Sequence, residues 1–151
     1  MKKIHLFLFS LFPLFFYFGA CLQFKPDKIP ALPSPVLEKS VVCSGIEMKD
    51  DWAYPIDEKV IFIKGEDRRI YSFLSFKNVK DVHFLEWKWY DPQNRVYRSG
   101  KKIRIGKKGQ YFERYIAWDA ISVFEEKENG KWRTAIFLDG KLTDTVEFEI
   151  R

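Results

Sequence analysis

Cysteine and histidine are scarce in this chain of 151 residues, which contains two of each. One of each falls within the N-terminal segment described below, which leaves Cys43 and His83. A structural zinc site takes about four cysteine or histidine ligands, so the sequence predicts no metal site. Nucleophilic catalysis needs a nucleophile and a base within hydrogen-bond reach, and no spacing or local pattern supports a Cys43–His83 dyad. We therefore expect a protein that is not an enzyme and uses no cofactor.

Glycine-rich phosphate loops and calcium loops are also missing. The pair Asp50-Asp51 lacks the D-x-D-x-D-G spacing of a calcium-binding loop. A second acidic group, Glu125, Glu126 and Glu128, precedes a turn, and we expect both groups to be solvated surface. Carboxylate pairs for glycoside hydrolysis are defined by their separation in space, so the sequence alone leaves them open.

Long hydrophobic runs occur at one place, the N-terminus. Two lysines precede an apolar stretch of about 13 residues from Leu6 to Phe18, and the small residues Gly19-Ala20 follow it. This order is the layout of a secretory signal peptide. A spanning helix needs about 20 apolar residues, and Pro13 interrupts this shorter run. An uncleaved anchor from Ile4 to Phe24 is the alternative.

The residues Phe18-Gly19-Ala20-Cys21 resemble a bacterial lipobox, although the commonest form has leucine where this chain has Phe18. The resemblance implies that a diacylglyceryl group is attached to the Cys21 sulfur, that the chain is cleaved before Cys21, and that the new amine is acylated. Two or more acyl chains hold a protein stably, since each buried methylene contributes about 0.8 kcal/mol. The alternative is ordinary secretion with Cys21 as a plain thiol.

This resemblance makes the membrane the first expected partner, through the lipid on Cys21. It implies a place in the cell envelope, and Leu22 is not the aspartate that resembles an inner-membrane retention signal. The outer membrane is therefore favoured if the organism has one. A lipidated Cys21 leaves Cys43 as a lone thiol, expected to be a small buried apolar residue. A Cys21–Cys43 disulfide is the competing interpretation.

Three segments follow from this pattern: a lipoprotein signal peptide at 1–20, the lipidated cysteine with a proline-rich linker at 21–40, and one domain at 41–151. Four of the seven prolines fall in the linker, at Pro26, Pro30, Pro33 and Pro35. Proline removes backbone donors and favours extended backbone. We expect this linker to act as a semi-rigid spacer.

The domain has the pattern of short antiparallel strands. Asn129-Gly130 and Asp139-Gly140 are typical of two-residue hairpin turns. After the second turn, Val146, Phe148 and Ile150 alternate with polar residues, as expected for a strand with one buried face. The last third therefore predicts an antiparallel meander.

Upstream, the sequence predicts strands at Ile70–Phe76, Val82–Tyr90 and Tyr111–Trp118, with Asp91-Pro92-Gln93-Asn94 forming a turn. Arg95–Ile105 predicts one strand, or two that divide near Gly100. The segment Asp119–Lys127 is ambiguous between a strand extension and a helical turn. Seven or more short strands favour a two-sheet sandwich.

A second resemblance concerns the residues Gly130-Lys131-Trp132, Asp139-Gly140-Lys141-Leu142 and Phe148-Glu149-Ile150. They are similar to the closing hairpin of immunoglobulin-like modules in bacterial envelope proteins, and Trp87-x-Trp89 before Asp91-Pro92 is similar to an inner strand of these modules. The resemblance implies an all-β fold, a single immunoglobulin-like antiparallel β-sandwich. Such modules serve in binding, spacing or assembly, and the fold does not choose among these roles.

One candidate binding surface is basic. The segment 94–110 holds seven basic residues and no acidic one: Arg95, Arg98, Lys101, Lys102, Arg104, Lys107 and Lys108. Loss of Lys2 and Lys3 with the signal would leave 24 basic and 21 acidic residues, a net charge of +3. The rest of the mature chain would then carry −4, an asymmetry that could attract an envelope protein or an anionic polymer. Alternatively, the lysines discourage pairing between sheet edges. No nucleic-acid partner is expected of an exported protein.

The other candidate surface is aromatic and consists of Trp52, Tyr54 and Tyr90. Exposed rings stack on sugars, although most such rings belong to a core or its rim. The sequence thus favours a membrane-anchored envelope lipoprotein that acts as a non-enzymatic binding or assembly module. The alternative is a module that binds cell-wall carbohydrate.

Overall fold

The computed structural model describes residues 34–124 and 127–151, and these residues form strands without any helix. No segment of these two ranges is a helix long and apolar enough to cross a bilayer. The predicted signal peptide, Cys21 and most of the proline-rich linker lie outside the described residues. The prediction of an all-β chain is confirmed. The eight strands are β1 (Val36–Lys49), β2 (Trp52–Glu58), β3 (Ile61–Phe62), β4 (Arg69–Tyr90), β5 (Val96–Ser99), β6 (Ile103–Ser122), β7 (Gly130–Leu138) and β8 (Lys141–Ile150).

The long strand β4 organises one curled, open sheet with the strand order β2-β1-β4-β7-β8-β3. Its first half pairs antiparallel with β1, and its last six residues, Leu85 to Tyr90, pair antiparallel with β7. β6 lies along β4 from Arg69 to Leu85, and the short β5 continues that pairing to Tyr90. The last strand of the sheet is β3, which runs parallel to β8.

β4 continues through a segment where two separate strands, Ile70–Phe76 and Val82–Tyr90, were expected. The prediction of a break is wrong because the polar residues between them form an irregularity within one strand. Asn78 and Asp81 have positive φ values of 56° and 65°. The β6 partner changes there from Tyr111, opposite Lys80, to Lys107, opposite Asp81. Such a bulge bends both strands without ending their pairing.

The start of the domain also differs from the sequence boundary at Val41, since β1 begins at Val36. Residues 36–40 therefore belong to the sheet and not to the linker. Glu38 forms an ion pair with Lys77 on β4, and Leu37 packs against the core. The boundary was misplaced because the linker prolines end at Pro35 and the next five residues, VLEKS, lack the alternation of apolar and polar residues that marks a strand in a sequence.

The C-terminal pair confirms one of the two predicted hairpin turns. Asp139 and Gly140 join β7 to β8 with φ values of 50° and 78°, as a type I′ turn requires. The turn predicted at Asn129-Gly130 is wrong, because β6 and β7 pair with β4 and the residues between Ser122 and Gly130 connect them. Asp119–Lys127, left ambiguous by the sequence, contributes to β6 as far as Ser122. The division of Arg95–Ile105 into two strands is confirmed.

The main core is aromatic. Leu85, Trp87 and Trp89 point to one face of β4 and are buried. Phe148 meets Trp89 edge-on with the ring centroids 6.0 Å apart and stacks on Trp132 at 6.5 Å. Edge-to-face and offset-stacked rings are the favoured arrangements of aromatic side chains. These rings join β4, β7 and β8, and the same core contains Val42 of β1 and Phe62 of β3.

A smaller cluster lies on the other face of β4. Phe73, next to the core residue Leu74, is buried there with Cys43 of β1 and Ala53 of β2. Neighbouring residues of a strand point to opposite faces, so the sheet carries apolar contacts on both sides at this point. The expectation that Cys43 is a small buried residue is confirmed.

Candidate binding surfaces

Three of the seven residues of the basic segment have partners within the fold. Arg95 pairs with Asp91 and Glu128 at the β4–β5 turn. Arg98 pairs with the Asp119 carboxylate and donates to the Ala120 carbonyl of β6. Lys102 lies over the Phe84 ring at 4.7 Å. The other four have no ion-pair partner among the described residues: Lys101, Arg104, Lys107 and Lys108.

The contact between Arg98 and Asp119 has a structural reason. Asp119 also accepts a hydrogen bond of 2.8 Å from the indole nitrogen of the core residue Trp89. The carboxylate thus joins β4, β5 and β6 and leaves Arg98 little freedom to reach an external anion.

The predicted aromatic surface is divided in a similar way. Trp52 and Tyr54 lie two residues apart on β2 and are each 40% exposed. Tyr90 is elsewhere, on β4, and its ring is covered by the Arg133 guanidinium at 3.7 Å. The three rings therefore do not form a common surface.

A residue that the sequence did not single out, Trp118 of β6, accompanies Trp52. The two indoles line a shallow cavity of about 290 Å³ together with Arg114, whose guanidinium lies 5.3 Å from the Trp52 ring. Trp118 pairs with Phe73 in register and is 42% exposed. We call Trp52, Arg114 and Trp118 the indole surface. The sequence alone does not distinguish Trp118 from a core residue. A shift of one residue in the strand register moves every side chain to the opposite face of the sheet, so either face of this strand could be the buried one.

A second cavity of about 260 Å³ surrounds Lys127, at the end of the connection from β6 to β7. Lys127 is only 7% exposed. Its ammonium lies 2.5 Å from the Tyr97 hydroxyl and faces the rings of Tyr97 and Trp132 at 3.8 and 5.4 Å. We call this the Lys127 pocket. Its described lining is Asp91, Arg95, Tyr97, Phe124, Lys127, Glu128 and Trp132.

The acidic groups of the Lys127 pocket are paired with Arg95. The Arg95 side chain lies 2.7 Å from Asp91 and 3.1 Å from Glu128. Burial raises the pKa of Asp91, but hydrogen bonds from the Arg95 backbone and guanidinium outweigh it and hold the pKa below its ordinary value. Lys127 has no carboxylate within ion-pair distance in the part of the chain that is described. No local pattern marks this pocket, because Lys127 stands in an acidic stretch that was expected to be solvated surface.

Cys43 and His83 are not brought together. The Cys43 thiol contacts the Gly45 carbonyl at 3.2 Å, and burial raises the pKa of this thiol to about 11. The His83 ring is held by the Asp139 carboxylate at 2.7 Å and the Lys80 carbonyl at 2.8 Å. One ring nitrogen therefore contacts the β7–β8 turn and the other contacts the bulge of β4. Within 34–124 and 127–151, no group of three or more acidic, histidine or cysteine side chains is placed to hold a metal ion.

No known protein family and no curated protein matches the sequence. Among solved structures, the chain is similar to the alkylpurine DNA glycosylase AlkC of Pseudomonas fluorescens bound to DNA containing an abasic site analog. The TM-score is 0.52 at 10% identity, over 78% of this chain and 30% of the glycosylase. Similarity to the β-glucosidase of Listeria innocua with bound isofagomine has a TM-score of 0.43 at 12% identity, over 77% of this chain and 16% of that enzyme. The chain thus spans less than a third of either protein, and the similarity to the glycosylase concerns the fold alone.

Proposed function

We propose that this chain is a lipid-anchored, non-enzymatic binding module of a bacterial cell envelope. The observation that carries the binding role is the indole surface, where two half-exposed tryptophans and an arginine line one cavity on the sheet. Exposed aromatic residues with an adjacent arginine are typical of recognition surfaces. The non-enzymatic role is supported by Cys43, a buried thiol of raised pKa, and by His83, whose ring nitrogens are both engaged.

The anchor rests on the sequence Phe18-Gly19-Ala20-Cys21. Acylation at Cys21 would hold the chain at the membrane, with the proline-rich segment as a spacer before β1 at Val36. The outer membrane is the proposed location if the organism has two, since Leu22 follows the cysteine.

Intact-mass measurement of the membrane-extracted protein tests this anchor. The expected mass is that of a chain cleaved before Cys21 and carrying three acyl chains, or two if the amine is left free. Cys21→Ser should abolish both cleavage and acylation, while Cys43→Ala, which removes the other thiol, should leave them unchanged. A Cys21→Ser chain that is processed and partitions into the membrane as the wild type does would overturn the anchor.

We also propose that the curled sheet is an immunoglobulin-like sandwich. The proposal is supported by β4, whose first half pairs with β1 and whose last six residues pair with β7, and by the main core, which holds residues from both of these parts. An experimental structure with two layers about 10 Å apart and aligned within about 30° would establish it. A closed barrel, with hydrogen bonds joining both edges, would not fit.

A glycan is the second candidate for the indole surface. Indole faces stack on the apolar faces of sugar rings, and the Arg114 guanidinium beside Trp52 could donate hydrogen bonds to hydroxyl or carboxylate groups. An envelope protein would need the same surface but a larger contact area.

Affinity electrophoresis in gels that contain soluble cell-wall glycans separates these two partners. Retardation by a glycan, lost in Trp52→Ala and in Trp118→Ala but kept in Tyr90→Ala, would support the carbohydrate role. The Tyr90 variant is a matched control because that ring lies away from the indole surface. Migration that no glycan alters would leave a protein or an anionic polymer as the proposed partner.

A further inference from the structure

The described part of the chain begins at the bulge of β4. Ser34, its first residue, donates a hydrogen bond of 2.5 Å from its hydroxyl to the Asn78 carbonyl and accepts one of 3.0 Å from the Lys80 amide. These two contacts fix Ser34 beside the bulge. In the sequence, Ser34 follows Cys21 by 13 positions, and an extended proline-rich chain of that length spans about 40 Å. The bulge is therefore where the domain is joined to the segment that carries the proposed anchor.

β6 forms a loop at the same bulge. Where β4 advances by one residue, from Lys80 to Asp81, the paired residue of β6 changes by four, from Tyr111 to Lys107. Residues 108–110 therefore lie outside the pairing with β4. We call these three residues, with Lys107 and Tyr111 on either side, the β6 loop. The first described residue and the β6 loop are thus both held at one short stretch of β4.

The β6 loop and its surroundings carry an excess of positive charge. The segments 34–38, 77–81 and 104–114, which meet at the bulge, hold six basic and three acidic residues, a net charge of +3. The basic residues are Lys77, Lys80, Arg104, Lys107, Lys108 and Arg114, and the acidic ones are Glu38, Asp81 and Glu113. Lys80, Lys107 and Lys108 are exposed. Such a surface attracts anionic groups within one Debye length, about 10 Å at 0.1 M salt.

The β6 loop also presents an aromatic ring. Tyr111 is 61% exposed, and its hydroxyl donates to the Asn78 side-chain carbonyl at 2.8 Å. Tyrosine and lysine both have an apolar body and a polar end, which suits them to the boundary between lipid headgroups and water. The loop thus combines the charge and the ring that such a boundary accommodates.

We propose that the β6 loop docks on the anionic headgroups of the bilayer that holds the Cys21 lipid. This docking rests on the proposed anchor, and it gives the domain a defined orientation at the membrane. The tether alone imposes no orientation, since its reach of about 40 Å is several times the Debye length. A tethered loop meets the bilayer at an effective concentration on the order of mM, so a modest attraction is sufficient.

The bilayer is the partner that the position of the β6 loop favours. A lysine close to an anionic surface strengthens binding by roughly fivefold, so the three exposed lysines together supply a factor on the order of 100. An anionic polymer would meet the same charges, but only the bilayer is held near the loop by the lipid on Cys21.

A polarity-sensitive fluorophore on the β6 loop tests the docking. Gln110→Cys, in a Cys43→Ala background, provides the labelling site in the full acylated chain purified from membranes, because the lipid blocks Cys21. The protein is added from detergent to preformed vesicles of phosphatidylcholine with or without phosphatidylglycerol. We expect the emission to shift to shorter wavelength only when phosphatidylglycerol is present. The shift should disappear at about 1 M salt, where the Debye length is about 3 Å.

A second labelling site is the positional control. Gln93→Cys lies in the turn after β4, where residue 93 is exposed, about 30 Å along the strand from the bulge. Its emission should be the same with and without phosphatidylglycerol.

A pair of charge variants tests the lysines. Lys107→Gln together with Lys108→Gln should lower the ratio of docked to undocked label about 25-fold, or fivefold for each lysine. Lys49→Gln together with Lys131→Gln removes the same charge from exposed positions on β1 and β7 and should keep the shift. Thermal unfolding of each variant verifies the fold.

Three results would overturn the docking: equal emission with and without phosphatidylglycerol, a shift that salt does not reverse, or an unchanged shift in the folded Lys107 and Lys108 variant. Vesicle flotation of the same samples reports the anchor separately. A protein that floats with both kinds of vesicle and gives any of these results keeps the anchor and loses the docking. A chain recovered without acyl groups would overturn the anchor and the docking together.

Discussion

At the scale of single residues, Cys43 shows how position removes reactivity. The thiolate is the nucleophilic form of cysteine, and burial raises the pKa of the Cys43 thiol to about 11. The side chain packs with Ala53 and Phe73 and is fully buried. At neutral pH it is therefore a small apolar group.

Iodoacetamide should leave Cys43 unmodified in the native protein at pH 8 and modify it rapidly in denaturant. Because the thiol pKa is raised on folding, the unfolded chain loses this proton first as the pH increases. The contribution to the free energy of unfolding is therefore complete below about pH 9 and declines towards pH 11. The difference in stability between wild type and Cys43→Ala, followed by urea unfolding from pH 8 to 11, should shrink. Rapid native alkylation would contradict the burial.

Asp139 has two separate roles in the β7–β8 turn. Its backbone adopts a positive φ of 50°, and its carboxylate receives the His83 ring at 2.7 Å and the Phe84 amide at 2.8 Å. Burial raises the pKa of Asp139, but these hydrogen bonds outweigh it and hold the pKa below its ordinary value.

Asp139→Asn separates the two roles, because asparagine suits a type I′ turn as well as aspartate does. A lowered carboxyl pKa contributes stability above the unfolded pKa of about 3.9, and this contribution is lost as the pH falls through the folded value. We expect the variant to be less stable at pH 7 by under about 1 kcal/mol, since the side chain is 46% exposed. The difference should vanish near pH 2 in urea unfolding. A pH-independent difference would instead indicate a change in the turn.

At the scale of elements, the bulge where β4 and β6 bend depends on backbone chemistry. Gly106 and Gly109 of β6 both have positive φ, 73° and 70°. A Cβ atom at 106 would lie 2.1 Å from the Asp81 carbonyl oxygen, whereas one at 109 would meet nothing within 4 Å. The Asp81 carboxylate accepts a hydrogen bond of 2.8 Å from the Gly109 amide and thereby links β4 to β6 at the bulge.

Gly106→Ala and Gly109→Ala form a matched pair that separates the steric contact from the strain of positive φ. The left-handed conformation costs an alanine roughly 1–2 kcal/mol, and only position 106 adds a backbone clash. We expect Gly109→Ala to lower the free energy of unfolding by about 1 kcal/mol and Gly106→Ala by at least about 3 kcal/mol. Urea denaturation measures both, and equal losses would show that the strands shift without cost at 106.

The two type I′ hairpins explain why one turn was predicted and the other was not. Asp50 and Asp51 join β1 to β2 with φ values of 49° and 63°, much like Asp139 and Gly140. Aspartate tolerates this conformation, but the pair lacks the glycine that marks it in a sequence. The Asn129-Gly130 pair contains this glycine but forms no hairpin, because the strands on either side of it, β6 and β7, both pair with β4.

Asp51→Gly should therefore stabilise the protein by about 0.5–1 kcal/mol, because glycine adopts positive φ without steric cost. Asp51→Ala, which has a Cβ atom and no compensating side-chain acceptor, should destabilise it by a similar amount. Thermal unfolding gives both signs. A destabilising Asp51→Gly would mean that the carboxylate, and not the backbone, decides this turn.

At the scale of the whole molecule, local patterns identified strands but not how they share a sheet. The alternation at Leu85, Trp87 and Trp89 predicted the buried face of β4 because it depends on a period of two residues alone. The continuity of β4 through Asp81 depends on pairing with β6, where Lys107 lies opposite Asp81, and no local pattern reports that. The Lys127 pocket and the indole surface likewise combine residues from distant strands.

The two apolar clusters predict two different kinds of opening. Phe148 joins β3, β4, β7 and β8 through its ring contacts with Phe62, Trp89 and Trp132, so Phe148→Ala should lower the free energy of global unfolding by about 3–5 kcal/mol. Phe73→Ala removes the side chain beneath the β1–β2 hairpin and should release that hairpin first. Native-state hydrogen exchange should then accelerate throughout the sheet in the first variant and mainly at Gly45–Ile56 in the second. Leu142→Ala, at a position 60% exposed, is the control and should change neither. If both variants accelerated the same amides equally, the two clusters would form one cooperative unit, and the curled sheet would open only as a whole.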